Sequence, residues 1–257
     1  MTMPSSLGGR LLAEPIREFG RAGIFLVTAF ARMRFGPLQL GEILRQVYFV
    51  GARSLVIIVI CGFFVGLVLT LQTHDTLTRF GAGDSVSTVL ALSLFRELAP
   101  VLTAILFAGR AGTSITAEIG LMKATEQLDA LDLMAIDPME RIVQPRLLAG
   151  VLAVPALVLV FNVTALLGGV FFSVYMMGSD PIVFWSNMQA SVELMKDFMG
   201  GLMKGVVFGF LVSWLAVYFG WSAKPTSEGV ALATTQTVIT SAIAVLLMDF
   251  VLSAFML

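Results

Sequence analysis

Arg96 and Glu97 stand side by side inside a long apolar run, and a second carboxylate, Asp249, stands inside another. An ionised side chain at the centre of a bilayer costs about 2.5 to 3.5 kcal/mol on insertion scales, so each such group requires a water-filled cavity, a partner or a proton. Three kinds of chemistry would use them: contact with a charged substrate, proton carriage in ion-coupled transport, or a hydrogen bond that locks helices together. Neighbouring residues on a helix point about 100° apart, which lets Arg96 and Glu97 bond separate partners. Pro100 has no N–H to offer the Arg96 carbonyl, so the spacing predicts a bend at the depth of the charges. Asp249 follows Thr234, Thr235, Gln236, Thr237, Thr240 and Ser241, a polar face suited to other helices rather than lipid, and its expected role is structural.

Other reactive residue types are sparse. His74 is the only histidine, next to Asp75 in an expected external turn, and a metal site needs more ligands than that. Cys61 is the only cysteine and lies in an apolar run, so it reads as a packing residue with no disulfide to form. No G-x-x-x-x-G-K-[ST] stretch exists to wrap phosphates, and Lys123 and Lys204 lack that glycine context. The chain is therefore expected to be no enzyme, and to hold neither metal nor cofactor itself.

The elements that must position these charges are membrane helices. The 257 residues are 58% hydrophobic and 13% charged, with mean hydropathy +0.93, far from the needs of a soluble domain. A formal net charge of -1 without a dense basic cluster argues against a nucleic-acid partner. A hydrocarbon core of about 30 Å takes roughly 20 helical residues, and five stretches qualify: 54–72, 86–108, 147–177, 202–221 and 230–257. Basic residues are retained on the cytoplasmic face. Arg10, Arg17, Arg21, Arg32, Arg34, Arg45 and Arg53 precede the first span, and Arg110, Lys123, Arg141 and Arg146 fall in 109–146. Only Arg79 and Lys196 occupy 73–85 and 178–201, so the N-terminus is expected inside and the C-terminus outside. The same early arginines do not fit a cleaved signal peptide, so that stretch is expected to remain in the mature chain.

Ahead of the first span, Leu12, Ile16, Phe19, Gly23 and Val27 recur at helical spacing, with Arg10, Arg17 and Arg21 on another face. That pattern describes an amphipathic helix lying in the membrane interface. The apolar residues 24–31 between Arg21 and Arg32 are too few to span. Residues 37–53, with Leu40, Ile43, Leu44 and Val47, continue the amphipathic pattern into span one. The one long polar connection is 109–146, in which Ala124 to Ala135 reads as a short helix. Leu128, Leu131 and Ala135 make its apolar stripe, Glu126, Asp129 and Asp132 its charged flank, and Pro138 its stop. A solvated connector and a docking helix for a partner both suit this pattern.

The stretch AGRAGTSITAEIGLMKATEQLDALDLMAIDP, Ala108 to Pro138, resembles the MlaE (YrbE) family of permeases. The resemblance rests on Glu118, Ile119, Gly120, Met122, Thr125, Glu126, Gln127, Leu128, Ala130 and Leu131, with Arg96, Glu97, Leu98 and Pro100 before them. The run Pro225 to Gly229 and the closing Asp249-Phe250-Val251-Leu252 extend it over nearly the whole chain. It implies one permease domain over 1–257, with an interfacial region 1–53 and a bundle 54–257. It further implies an all-α integral membrane protein with an N-terminal interfacial helix, five transmembrane helices and a cytosolic coupling helix between spans two and three.

Such a permease works as a homodimer in the bacterial inner membrane. It moves phospholipid and helps maintain outer-membrane lipid asymmetry. Two cytosolic ABC ATPase subunits bind the ATP and Mg, a ring of periplasmic MCE-domain protein caps it, and a small accessory cytosolic subunit is an optional further partner. By the same resemblance, Glu118, Thr125, Glu126, Asp129 and Leu131 are the ATPase-coupling candidates, and Leu69, Leu77, Phe80, Arg96, Glu97 and Leu98 the substrate-binding ones. The competing reading is an ion-coupled secondary transporter with Glu97 and Asp249 as proton carriers. It has no use for the cytosolic helix, and no repeated halves are evident.

Overall fold

The computed structural model describes residues 20–32 and 37–256. The amphipathic stripe expected from Leu12, Ile16 and Phe19, with Arg10 and Arg17, lies outside the described residues. What is described begins with α1, Gly20–Ala31, whose 12 residues make a rod of about 18 Å, too short to cross a bilayer. Ala22, Phe25 and Ala29 of α1 are buried against the rest of the chain, while Ile24 and Val27 point away from it. Trp214 Nε1–H donates to the Ala22 carbonyl at 3.1 Å and fastens α1 to the bundle.

Five helices are long and apolar enough to cross a membrane, so the multi-pass all-α architecture stands. They are α2, Pro37–Arg79; α3, Gly83–Ala124; α5, Met139–Met176; α7, Met195–Ser222; and α8, Ser227–Met256. Two shorter helices join them: α4, Gln127–Leu133, between α3 and α5, and α6, Pro181–Ser191, between α5 and α7.

The helices overrun the expected spans. No proline interrupts the chain from Leu38 to Arg79, so the amphipathic lead, the span and most of the expected external loop form one rod. His74 and Asp75 are therefore helical rather than in a turn, and Asp75 pairs with Arg79 at 2.9 Å one turn on. The rod ends at Gly81, whose φ of +70° suits a residue without Cβ. There the Gly81 N–H donates to Thr78 O at 3.1 Å and the Ala82 N–H to Leu77 O at 2.9 Å, closing the orphan carbonyls. Likewise 109–146 is mostly helix continued from α3 and into α5, and its only separate element is the seven-residue α4. Helix α6, in a stretch expected to be loop, starts where Asp180 accepts the Ile182 N–H at 2.8 Å ahead of Pro181.

Small residues let the rods touch. Lipid is as apolar as leucine, so helices associate in it through close van der Waals packing, which glycine permits. Gly62 and Gly66 of α2 face Phe161 to Ala165 of α5, and a Cβ at Gly66 would collide with the Ala165 carbonyl. Gly201, Gly205 and Gly209 repeat at four-residue spacing down α7 and meet Phe95, Pro155 and Gly150 in turn. The centre is sealed by Phe107, Phe161 and Phe208. Outside it, Phe64, Val163, Leu167, Ile243, Leu247 and Phe250 remain exposed, a surface suited to hydrocarbon.

Candidate functional site

The charges meet where α3 departs from α-helical geometry. Leu94–Leu98 is a π turn in which the Ala99 N–H reaches back to Leu94 O, a deviation common at functional sites. Pro100 cannot serve the Arg96 carbonyl, and the Lys204 ammonium of α7 donates to it instead at 2.9 Å. Gly201 makes this possible, because any Cβ there would strike the Phe95 carbonyl and hold α7 away. The departure from α geometry at the depth of the charges is a π turn, and a second helix uses the carbonyl that Pro100 leaves without a donor.

Lys204 is 3% exposed, and its solvation is replaced almost wholly by protein. Besides Arg96 O, its Nζ donates to Asp249 Oδ1 at 3.0 Å and Ser253 Oγ at 2.7 Å, and lies 3.1 Å from Glu97 Oε2. The Ser253 hydroxyl in turn donates to the Glu97 carboxylate, at 3.0 and 3.1 Å to its two oxygens. Arg96 turns elsewhere: its Nε and Nη2 donate to Asp197 Oδ1 at 2.7 and 2.6 Å. Asp197, only 1% exposed, also accepts the Glu193 N–H at 2.8 Å. Arg96 and Glu97 thus bond separate partners, as their angular separation allows.

A cavity of about 140 Å³ opens on this cluster, lined by Arg96, Glu97, Lys196, Asp197, Gly200, Gly201, Lys204 and Ser253. Counting Asp249 beside it, three cations stand with three carboxylates. Such a site can receive a group bearing charge of either sign. Along the rods, Glu97 is about 21 Å from the start of α3, Lys204 about 14 Å from the start of α7, and Asp249 about 11 Å from the end of α8. The cluster therefore lies toward the α6 end of the bundle rather than midway.

Leu69 and Leu77 are half-buried on α2, Leu98 packs beside the core, and Phe80 is 80% exposed at the end of α2. None of these four lines the cavity that Arg96 and Glu97 share. Sequence reasoning missed Lys204, Asp197 and Ser253 as partners. The signal was available, since Lys204 is the one charged residue inside the expected fourth span and Asp249 the one inside the fifth. Of the polar residues expected on a helix-facing side of α8, Thr237 and Ser241 are buried, whereas Thr235 and Gln236 are exposed. Thr237 Oγ1 lies 2.8 Å from Thr116 Oγ1 of α3.

The other candidate group surrounds α4. Glu118 pairs with Arg146 at 3.1 Å, tying the extended end of α3 to the start of α5. The Thr125 hydroxyl donates to Leu121 O, Glu126 and Asp129 are exposed, and Leu131 is half-buried. Glu126 and Ala135, which bracket the helix, both have φ of +58°. Ala135 donates to Asp132 O at 3.0 Å and Ile136 to Leu131 O at 3.0 Å, a Schellman ending with alanine where glycine is usual. Beyond it Leu133 is 89% exposed, and Leu121, Met134 and Ile136 are exposed with it.

Five membrane-length helices, a charge cluster closed among three of them and a short helix between the second and third define a multi-pass helical membrane protein with a polar site inside its bundle. The chain belongs to the MlaE permease family: the family model described as "Permease MlaE" matches residues 43–255. It is 44% identical over 252 residues, 96% of this chain and 95% of the other, to the "Intermembrane phospholipid transport system permease protein MlaE" of Haemophilus influenzae. It is 36% identical to a "Probable ABC transporter permease protein" of Rickettsia typhi, over 97% of this chain and 96% of the relative. A cyanobacterial protein of that description, from Synechocystis, is 36% identical over 90% of this chain and 88% of its own length.

Membership makes the chain an ABC-transporter permease subunit and a transport component rather than an enzyme. The secondary-transporter alternative finds no support. Glu97 and Asp249 converge on one lysine, and these relatives are named as ABC or Mla-system permeases. Among the described residues no group of histidine, cysteine and carboxylate side chains could hold a metal ion.

Proposed function

We propose that this chain is the phospholipid-translocating permease of an ATP-driven system that moves lipid between the inner and outer membranes of a bacterium and so helps maintain outer-membrane asymmetry. The observation that carries the reading is the near full-length similarity to a relative named for intermembrane phospholipid transport. The chain acts as a homodimer of single permease domains in the inner membrane, N-terminus cytoplasmic and C-terminus periplasmic. Two cytosolic ABC ATPase subunits bind ATP and Mg, and an MCE-domain ring caps the permease on the periplasmic side. A small accessory cytosolic subunit is an optional further partner. The exposed apolar end of α4 supports ATPase docking there, through Glu118, Thr125, Glu126, Asp129 and Leu131.

The cluster at Arg96 and Glu97 meets the phospholipid head group, whose phosphate and counter-charge suit a site with both signs. Leu69, Leu77, Phe80 and Leu98 contact the acyl chains, each buried methylene contributing about 0.8 kcal/mol. The test is reconstitution of the chain with its co-purifying ATPase in proteoliposomes carrying a fluorescent phospholipid. ATP-dependent lipid movement is expected, and its loss in Glu97→Ala and Leu77→Glu with assembly intact. Full transport by both variants would overturn the pocket assignment, and purification without any ATPase would overturn the function.

A further inference from the structure

Where α3 and α6 begin, beside the end of α5, a cavity of about 180 Å³ is lined by Asp84, Ser87, Ser173, Ser179 and Asp180, with Val86 and Phe184 among its apolar wall. It shares no lining residue with the cavity at Arg96 and Glu97, and Ser87 is ten residues before Glu97, about 15 Å along α3. We propose that this cavity binds a divalent cation, calcium in preference to magnesium, in a shell of carboxylate, hydroxyl and water oxygens.

Charge comes first. Asp84 and Asp180 are both exposed, no basic residue is among the described lining, and neither carboxylate has an ion-pair partner among the described residues. Helix starts favour carboxylates, which accounts for the residue type at both positions. It does not account for the rest. Asp180 caps α6 through one oxygen, Oδ1, which accepts the Ile182 N–H at 2.8 Å and orients the carboxylate. Ser87 is 2% exposed, and its hydroxyl is buried without a partner, a costly state for a polar group unless a ligand uses it. Ser173, 3% exposed, stands in the same wall. Histidine, cysteine and carboxylate side chains form no metal group of three among the described residues, so hydroxyls and water must supply what two carboxylates do not. Hard cations accept such oxygens. Calcium tolerates an irregular shell of roughly six to eight of them drawn from three helix ends, whereas magnesium demands a near-ideal octahedron.

The walls are braced by bonds that need no ion. Thr88 Oγ1 lies 3.0 Å from Ser191 Oγ, and the Asn187 side-chain amide donates to the Asp84 carbonyl at 3.0 Å, both joining α3 to α6. The Ser179 N–H donates to Ser173 O at 3.1 Å and closes the turn after α5. A bound cation would add a link among all three helices.

The site stands or falls independently of what the transporter carries. The full chain, purified in a neutral detergent and freed of metal with a chelator, is titrated by calorimetry with calcium chloride, magnesium chloride or, at matched ionic strength, sodium chloride. With two charges only, one calcium per chain is expected at a half-saturation of about 0.1 to 1 mM, the weak end of the calcium range. The thermal midpoint should rise with it. Asp84→Asn and Asp180→Asn should each weaken binding about tenfold, the second without loss of the cap, because asparagine serves there as well. Ser87→Ala should weaken it about threefold and leave the calcium-free thermal midpoint unchanged, since the hydroxyl has no protein partner to lose. Asp75→Asn, in the exposed pair with Arg79, should leave calcium binding as it is. The absence of saturable calcium binding, a thermal shift that sodium reproduces, or wild-type binding by both Asp84→Asn and Asp180→Asn would overturn the proposal. Magnesium binding as tight as calcium would overturn the choice of ion.

Discussion

The charge cluster on α3, α7 and α8 and the short helix α4 are both polar interruptions of an apolar chain, and they are completed in opposite ways. In the cluster, Lys204 satisfies Arg96 O, Glu97, Asp249 and Ser253, and Arg96 satisfies Asp197, all within one chain. At α4 the apolar side chains of Leu133, Met134 and Ile136 are left exposed, and both flanking residues hold a left-handed backbone without being glycine. A left-handed residue with a Cβ costs about 1 to 2 kcal/mol. Such local cost is characteristic of functional segments. The cluster is finished inside the subunit, whereas α4 has the form of something finished by another.

That contrast gives an ordered set of tests, all read as thermal unfolding of the purified chain in detergent unless stated. Lys204→Met leaves two carboxylates without their cation and should cost about 3 kcal/mol, the low end for breaking a buried pair because Glu97 is half exposed. Gly201→Ala forces α7 off the Phe95 carbonyl and should cost about 2 to 3 kcal/mol, through overpacking and a stretched Lys204 bond. Asp197→Asn keeps an acceptor for the Glu193 N–H but loses the charge facing Arg96, for about 1 to 2 kcal/mol. If these three proved neutral, the cluster would not be the internal lock described.

On the other side of the comparison, Ala135→Gly should stabilise α4 by about 1 kcal/mol, seen as slower amide exchange in Gln127–Leu133. Leu133→Ser should change stability by less than about 0.5 kcal/mol while weakening ATPase recovery on co-purification. A large loss of stability there would mean that α4 is packed within its own chain.

The sequence made the five membrane-length helices legible because hydropathy over some 20 residues is a strong signal that needs no partner. It also marked Arg96, Glu97 and Pro100, since charge in an apolar run is costly wherever it occurs. Of their partners, Lys204 was marked by the same rule, but Asp197 and Ser253 were not legible. Asp197 and Ser253 are far from Arg96 in the chain, and only helix packing, set by glycines such as Gly201, brings them together. Helix ends were read short for a related reason. Polar residues at Arg110, Glu118 and His74 mark the edge of an apolar span, but nothing in them stops a helix from continuing past it. Glu126 and Ala135 could not have been identified as left-handed, because neither residue type favours that conformation.

The missing N–H of Pro100 ties two positions in separate helices to a common history. A proline on α3 leaves one carbonyl without a donor, and an ammonium on α7 supplies it, so neither residue has its full value alone. Exchange of the proline for an ordinary residue would let α3 serve its own carbonyl and lessen the demand for a cation opposite. Loss of the lysine would strand that same oxygen. Chains descended from a common ancestor should then keep or abandon positions 100 and 204 as a pair.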